Sequence, residues 1–124
     1  PGAALALDGK MGDLLTEGLN KLIDKHGLPF VAFNQGSVCH LDTTGCMHYS
    51  IDWSKPWQIP NVLKQTSIRK KEMEYMGAAY MAEGIVTLAG NRIYTSAAYD
   101  EEMIKDVLER FDRVFSHVEE VKVK

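Results

Sequence analysis

Four residues within one short stretch have side chains suited to metal or covalent chemistry: Cys39, His40, Cys46 and His48. Thiolate and imidazole are the ligands zinc prefers. Their spacing does not match a zinc loop. Cys39 and His40 are neighbours on an expected strand, and successive strand side chains leave opposite faces, so the two do not easily share one ion. The same residues could instead pair as nucleophile and base, which requires a thiol of lowered pKa with an imidazole at hydrogen-bond distance. No oxyanion hole is marked in the sequence to accompany them. The plain alternative is a buried Cys39 with the histidines as ordinary polar strand residues. A Cys39–Cys46 disulfide is possible in geometry, but the two cysteines and six methionines do not make a disulfide scaffold, and a reducing cytoplasm is the default compartment.

Other reactive patterns are excluded by their context. Gly84 and Gly90 are not followed by the Lys-Ser/Thr pair of a phosphate-cradling loop. Arg69-Lys70-Lys71 is broken at once by Glu72 and Glu74, which reads as a solvated helix face. The net charge of -3 implies no broad basic surface for nucleic acid. No apolar run approaches the roughly 20 residues of a membrane helix. Hydrophobic and charged fractions of 45% and 25% are those of an ordinary soluble domain, and 124 residues suffice for one domain with a modest core. The chain opens on Pro1 rather than Met and lacks a charged leader, so it is expected to be a cut or processed piece.

The elements that must position these residues follow from periodicity. Met11, Leu14, Leu15, Leu19, Leu22 and Ile23 mark one face of a helix over 11–26, closed by Gly27 and Pro29. Gly12 and Gly18 weaken that helix in isolation, so tertiary packing must hold it. Phe30–Phe33 and Val38–Leu41 are expected strands joined by the turn Asn34-Gln35-Gly36, with Val38, His40 and Asp42 on one face and Cys39 and Leu41 on the other. His48–Trp53 has strand character. Ser54–Pro60 is expected to be neither regular helix nor central strand, because its two prolines remove donors. Trp53 and Trp57 are expected to cover the domain's own core, or else to make a contact outside it. A middle helix is expected over 67–83, with Ser67 as N-cap and Ile68, Tyr75, Met76, Ala79 and Tyr80 along one stripe.

From Glu83 onward the pattern is densest. Gly84 supplies a positive-φ helix stop; Ile85–Leu88 and Arg92–Thr95 are β-rich runs around the turn Ala89-Gly90-Asn91. Asp100 is a good N-cap with Glu101 and Glu102 in the first turn, and Ile104, Val107, Leu108, Phe111, Val114 and Phe115 recur at helical spacing. The tail, His117–Lys124, is expected to fray. Together these elements predict an α+β domain over 1–124: a short antiparallel sheet of four strands covered by helices on one side.

Several of these residues also carry a family resemblance. Gly84-Ile85-Val86-Thr87-Leu88, Arg92-Ile93-Tyr94-Thr95-Ser96-Ala97-Ala98-Tyr99, Asp100-Glu101-Glu102 and Asp112-Arg113-Val114-Phe115 resemble the C-terminal end of class III aminotransferases, the pyridoxal-phosphate enzymes that include glutamate-1-semialdehyde aminomutase. Gly27-Leu28-Pro29 and Gly36-Ser37 fit the same pattern upstream, while Tyr99 stands where the family usually has His. The resemblance implies the C-terminal small domain of a fold-type I enzyme, whose large domain supplies the Schiff-base lysine and the acidic partner of the pyridine nitrogen. None of the lysines here, such as Lys55, Lys64 or Lys70, lies in the Schiff-base context, so no transamination is expected of this chain alone.

The partners so implied are an upstream domain that binds pyridoxal 5'-phosphate, a small amino or keto acid substrate, and a second subunit in a homodimer. The small domain's share is to close one wall of the active site and shape selectivity. Arg92 with Asn91 is one candidate for a substrate carboxylate, since guanidinium binds carboxylate in bidentate fashion; Ser37 is a second polar contact. The alternatives are a structural ion pair or surface residue for Arg92 and a plain turn for Gly36-Ser37. In the aminomutase branch a Glu occupies the neighbourhood of Asn91, and this chain lacks it. Outside the enzyme class, the same elements fit a free-standing α+β binding or dimerisation module without catalysis.

Overall fold

The computed structural model describes residues 2–43, 54–88, 91–96 and 98–118. Cys46, His48, the expected strand His48–Trp53, Ala89-Gly90 and the end of the tail lie outside them. The elements run α1 (Gly2–His26), β1 (Val31–Gln35), β2 (Val38–Asp42), a 3-10 turn (Pro56–Gln58), α2 (Ile59–Ala82), β3 (Arg92–Tyr94) and α3 (Glu101–Ser116). The three strands form one antiparallel sheet in the order β1-β2-β3, so the fold is a small α+β domain.

Strand alternation decides where the core lies. Ala32, Cys39, Leu41 and Ile93 are buried on one face of the sheet. Met11, Leu15, Leu19 and Ile23 from α1 and Ile104, Phe111, Val114 and Phe115 from α3 complete the core. Each such Leu or Phe contributes about 1.5–3 kcal/mol by leaving water. Edge-on ring contacts, Phe30–Phe115 at 5.8 Å and Tyr80–Phe111 at 5.1 Å, hold the aromatic end together.

The weak glycines of α1 have a packing reason. A Cβ at Gly12 would collide with the Gly36 carbonyl, and one at Gly18 with the Leu108 side chain. The helix therefore lies directly against the β1–β2 hairpin and α3. Asn34 adds a side-chain bond to Asp13 at 2.8 Å. Asn20 does what no periodicity announces: its amide donates to the Ala32 carbonyl (2.9 Å) and accepts from the Ala32 N–H (3.1 Å), occupying backbone groups of the outer strand β1 that would otherwise pair with another chain.

Several boundaries differ from expectation. β1 runs Val31–Gln35 rather than Phe30–Phe33, and pairing of Gln35 with Val38 moves the turn to Gly36-Ser37. α1 begins at Gly2, well before residue 11. α2 begins at Ile59, not after Ser67, which lies inside the helix. The prolines were expected to keep 54–60 irregular, but a missing N–H costs little at a helix start. Pro56 opens the 3-10 turn and Pro60 falls in the first turn of α2. Trp57 is 71% exposed and does not cover the core.

The fourth expected strand is absent as such. Gly84 has φ +77° and donates to the Met81 carbonyl, and Ile85 donates to the Tyr80 carbonyl, the double bond of a Schellman stop. That commits the backbone of Ile85 to the helix end. Only Leu88 reaches β3, in an isolated bridge with Arg92. Arg110 and Arg113 of α3 then hold the same corner, bonding the Glu83 carbonyl (2.7 Å) and carboxylate (2.9 Å). Asp100 caps α3 as expected, accepting from the Met103 N–H at 2.8 Å.

At the far end of α1, Asp112 of α3 accepts from Lys25 at both oxygens (2.9 Å each) and meets His26 Nε2 at 2.6 Å. His26 and Lys25 hold the Asp112 carboxyl below the usual carboxylate range.

Two outcomes follow for stability. Gly12→Ala should lose about 1–3 kcal/mol in urea melts through overpacking against the Gly36 backbone. Gly9→Ala meets nothing within 4 Å and should gain about 0.5–1 kcal/mol. Equal effects of the two would contradict the close approach of α1. Because its folded pKa is lowered, Asp112 adds stability above the ordinary carboxylate range and loses it as pH falls through the folded value. Asp112→Asn should therefore cost about 1 kcal/mol near neutral pH and nothing in strong acid, where the two melts should coincide.

Candidate functional site

The face of the sheet turned away from α1 and α3 carries the residues with recognition chemistry. Phe33 pairs with His40 and His40 with Arg92, so the three form one row across β1, β2 and β3. The Phe33 and His40 rings are stacked, with centroids 5.0 Å apart and planes within 10°. Tyr94, paired with Val38, stands in the next row. Phe33 is 43% and Tyr94 50% exposed, and Leu88, bridged to Arg92, is 56% exposed, so this face carries open apolar side chains. Lone exposed apolar residues are ordinary, but a contiguous group marks an interaction surface.

Among the expected site residues, Arg92 lies exposed on this face. The ion pairs among the described residues engage Arg110 and Arg113 but leave Arg92 out. Asn91 is not beside it. It precedes β3 on the Ile93 side of the alternation; its backbone carbonyl accepts from Leu41 N–H at 2.8 Å, and its amide oxygen is buried without a partner in the structure. Ser37 lies at the hairpin, where its carbonyl accepts from both the N–H (2.8 Å) and the hydroxyl (3.1 Å) of Thr95. That is the work of a turn clasped to β3. Since Ser37 flanks Thr95 and Asn91 flanks Leu41, the two occupy opposite ends of β2, and the three candidates are not brought into one site.

Cys39 and His40 leave opposite faces of β2, as alternation requires. Cys39 is fully buried and free, with the Thr16 hydroxyl 3.2 Å from its sulfur. Burial pushes its thiol up despite that bond, the opposite of what a nucleophile needs. No group of three or more metal-type side chains occurs among the described residues. Cys46 and His48 lie outside them. Phe33 was not singled out by the sequence; its place opposite His40, on the solvent side of an alternating strand, was the available signal. No described helix is long and apolar enough to cross a membrane.

No protein-family model matches the chain, and no curated protein matches it in sequence.

The burial of Cys39 is open to a direct check. A Cys46→Ser chain should react negligibly with a thiol reagent while native and fully once denatured. Prompt labelling of the native chain would restore Cys39 as a candidate nucleophile.

Proposed function

We propose that this chain is the C-terminal small domain of a class III pyridoxal-phosphate-dependent aminotransferase or aminomutase, working with an upstream cofactor-binding domain in amino-group transfer. The observation that carries the reading is the bare face of the sheet. It presents Phe33 and Tyr94, with Leu88 bridged to Arg92, and Arg92 has no carboxylate partner among the described ion pairs. A domain severed from a neighbour exposes apolar surface at the missing interface. The unit from Gly84 to Phe115 also has a local physical logic that fits its family-like residues: a Schellman stop, a bridge, an edge strand, an Asp N-cap and a strongly one-sided helix.

In this role the chain supplies no Schiff-base lysine. Pyridoxal phosphate, held by the upstream domain, would act as the electron sink for the amino acid's carbon skeleton. The chain's own residues would wall the substrate side, with Arg92 binding the carboxylate of a small amino or keto acid. The buried Asn91 amide and the clasped Ser37 turn fit positioning of β3 better than substrate contact. The parent protein would be a cytoplasmic homodimer, a compartment suited to the free Cys39 thiol.

A free-standing binding or dimerisation module is the second reading, favoured by the core, which gathers buried residues from α1, the sheet, α2 and α3 without a second chain. The two separate on the parent protein. The enzyme reading expects bound pyridoxal phosphate, visible by absorbance, and an Arg92→Gln variant whose KM for carboxylate substrates rises about tenfold or more with the cofactor retained. A parent without bound cofactor would sink the enzyme reading. A KM unchanged by Arg92→Gln would remove Arg92 from the substrate wall.

A further inference from the structure

The sheet stops one step short on its β3 side. β3 turns Asn91, Ile93 and Thr95 towards β2: the Leu41 N–H donates to the Asn91 carbonyl and the Thr95 N–H to the Ser37 carbonyl, each at 2.8 Å, with Ile93 paired to Cys39 between them. The backbone groups of Arg92 and Tyr94 therefore point the other way, to the outer edge. Leu88 takes both of those of Arg92: its N–H donates to the Arg92 carbonyl at 2.8 Å, and its carbonyl accepts from the Arg92 N–H at 3.1 Å. That is a complete hydrogen-bonded pair, and it fixes a register. The next such pair falls two residues along each strand, which is Val86 with Tyr94. It is not made. Among the described residues, the outward N–H and C=O of Tyr94 have no backbone partner.

The segment before Leu88 has the pleat of a fourth strand. Ile85 is buried and Thr87 half-buried, whereas Val86 is 81% exposed and Leu88 is exposed with it. Directly paired residues share a face of the sheet, so a paired Val86 would stand beside Tyr94 as Leu88 stands beside Arg92. The helix stop does not forbid this. The Ile85 N–H, bonded to the Tyr80 carbonyl, belongs to the alternate set that points away from β3. We propose that residues 86–88 are a strap that zips onto β3 when the open face is covered, pairing Val86 with Tyr94 and completing the fourth strand. The driving force is differential contact: once zipped, Val86 lies with Tyr94 under the covering surface, and the edge bonds are shielded from water. Docking at the face is thereby coupled to the end of α2 through Ile85 and the Gly84 stop. The inference rests on the reading of the open face as the junction with an upstream domain, and it names what that docking changes in this chain.

The register is tested by cross-linking the intact 124-residue chain in a Cys46→Ser background. Cα atoms of a hydrogen-bonded antiparallel pair stand about 5.5 Å apart, within the span of a disulfide. With Val86→Cys and Tyr94→Cys, oxidised glutathione should close a disulfide between positions 86 and 94 of one chain, read by mass. Thr87→Cys with Tyr94→Cys places the two thiols on opposite faces and should close about tenfold more slowly or worse. Equal rates for the two pairs would overturn the proposal. The coupling is tested by hydrogen exchange on the unsubstituted protein, which needs no variant to fold. The Ile93 amide, turned towards β2, should be protected in the isolated chain and in the parent protein alike. The Tyr94 amide should exchange freely in the isolated chain and about tenfold or more slowly in the parent. A Tyr94 amide equally fast in both, or equally slow in both, would overturn the proposal. Bound pyridoxal phosphate reports separately on the domain reading. A parent that holds the cofactor while its Tyr94 amide stays fast keeps that reading and loses the strap; a parent without the cofactor loses the enzyme reading whatever the strap does.

Discussion

The structure depends on one constraint: a three-stranded sheet whose single covered face must satisfy two helices at once. α1 and α3 meet over that face, and the large side chains of α3, Phe111 and Phe115, reach across to Tyr80 and Phe30. The contact is possible because α1 carries glycine where it crosses the β1–β2 hairpin and where it meets Leu108. Anything larger would lift the helix off the sheet and open the core. The polar ties serve the same packing from its rim. Asn20 fastens α1 to the outer strand, Asp112 fastens its end to α3, and Glu83 fastens the end of α2 to α3.

Packing α1 and α3 against one side of the sheet leaves Phe33, Arg92 and Tyr94 exposed on the other. β2 divides the two sides along a single strand. Cys39 and Leu41 are spent on the core, and Val38 and His40 are left for the open face. This is why Cys39 and His40, though neighbours in sequence, do not form a thiol–imidazole pair. Their chemistry is separated by the thickness of the sheet, and burial raises the thiol's pKa besides. The same alternation separates Arg92 from Asn91: one faces outward beside His40, and the other turns its amide inward.

Much of this was legible from sequence where one local rule dominated. The spacing of Ile104, Phe111, Val114 and Phe115 placed the buried stripe of α3, and Asp100 its cap. Gly84 marked the end of α2, and the alternation in β2 placed Cys39 inside. Legibility failed where two rules competed. Pro56 and Pro60 read as breakers when they are helix starters, and the outcome depends on whether a helix follows them or precedes them. Ile85–Leu88 is β-rich, yet the Schellman bonds of the preceding helix claim Ile85 first. The glycines of α1 showed their helix penalty in sequence but not the surfaces that require them. The Phe33–His40 stack was illegible for a different reason: it is a cross-strand pair, fixed by the register of a hairpin whose turn lies at Gly36-Ser37, one step later than expected.

The central claim is that the open face belongs to the junction with a cofactor-binding domain of the same polypeptide. The most direct measurement is the mass of the protein as its native cells produce it, by immunoblot with an antibody raised against this chain. The account predicts a band several times heavier than 13.9 kDa. A single band at 13.9 kDa would contradict it, because the chain would then be made without the domain that its open face is proposed to meet.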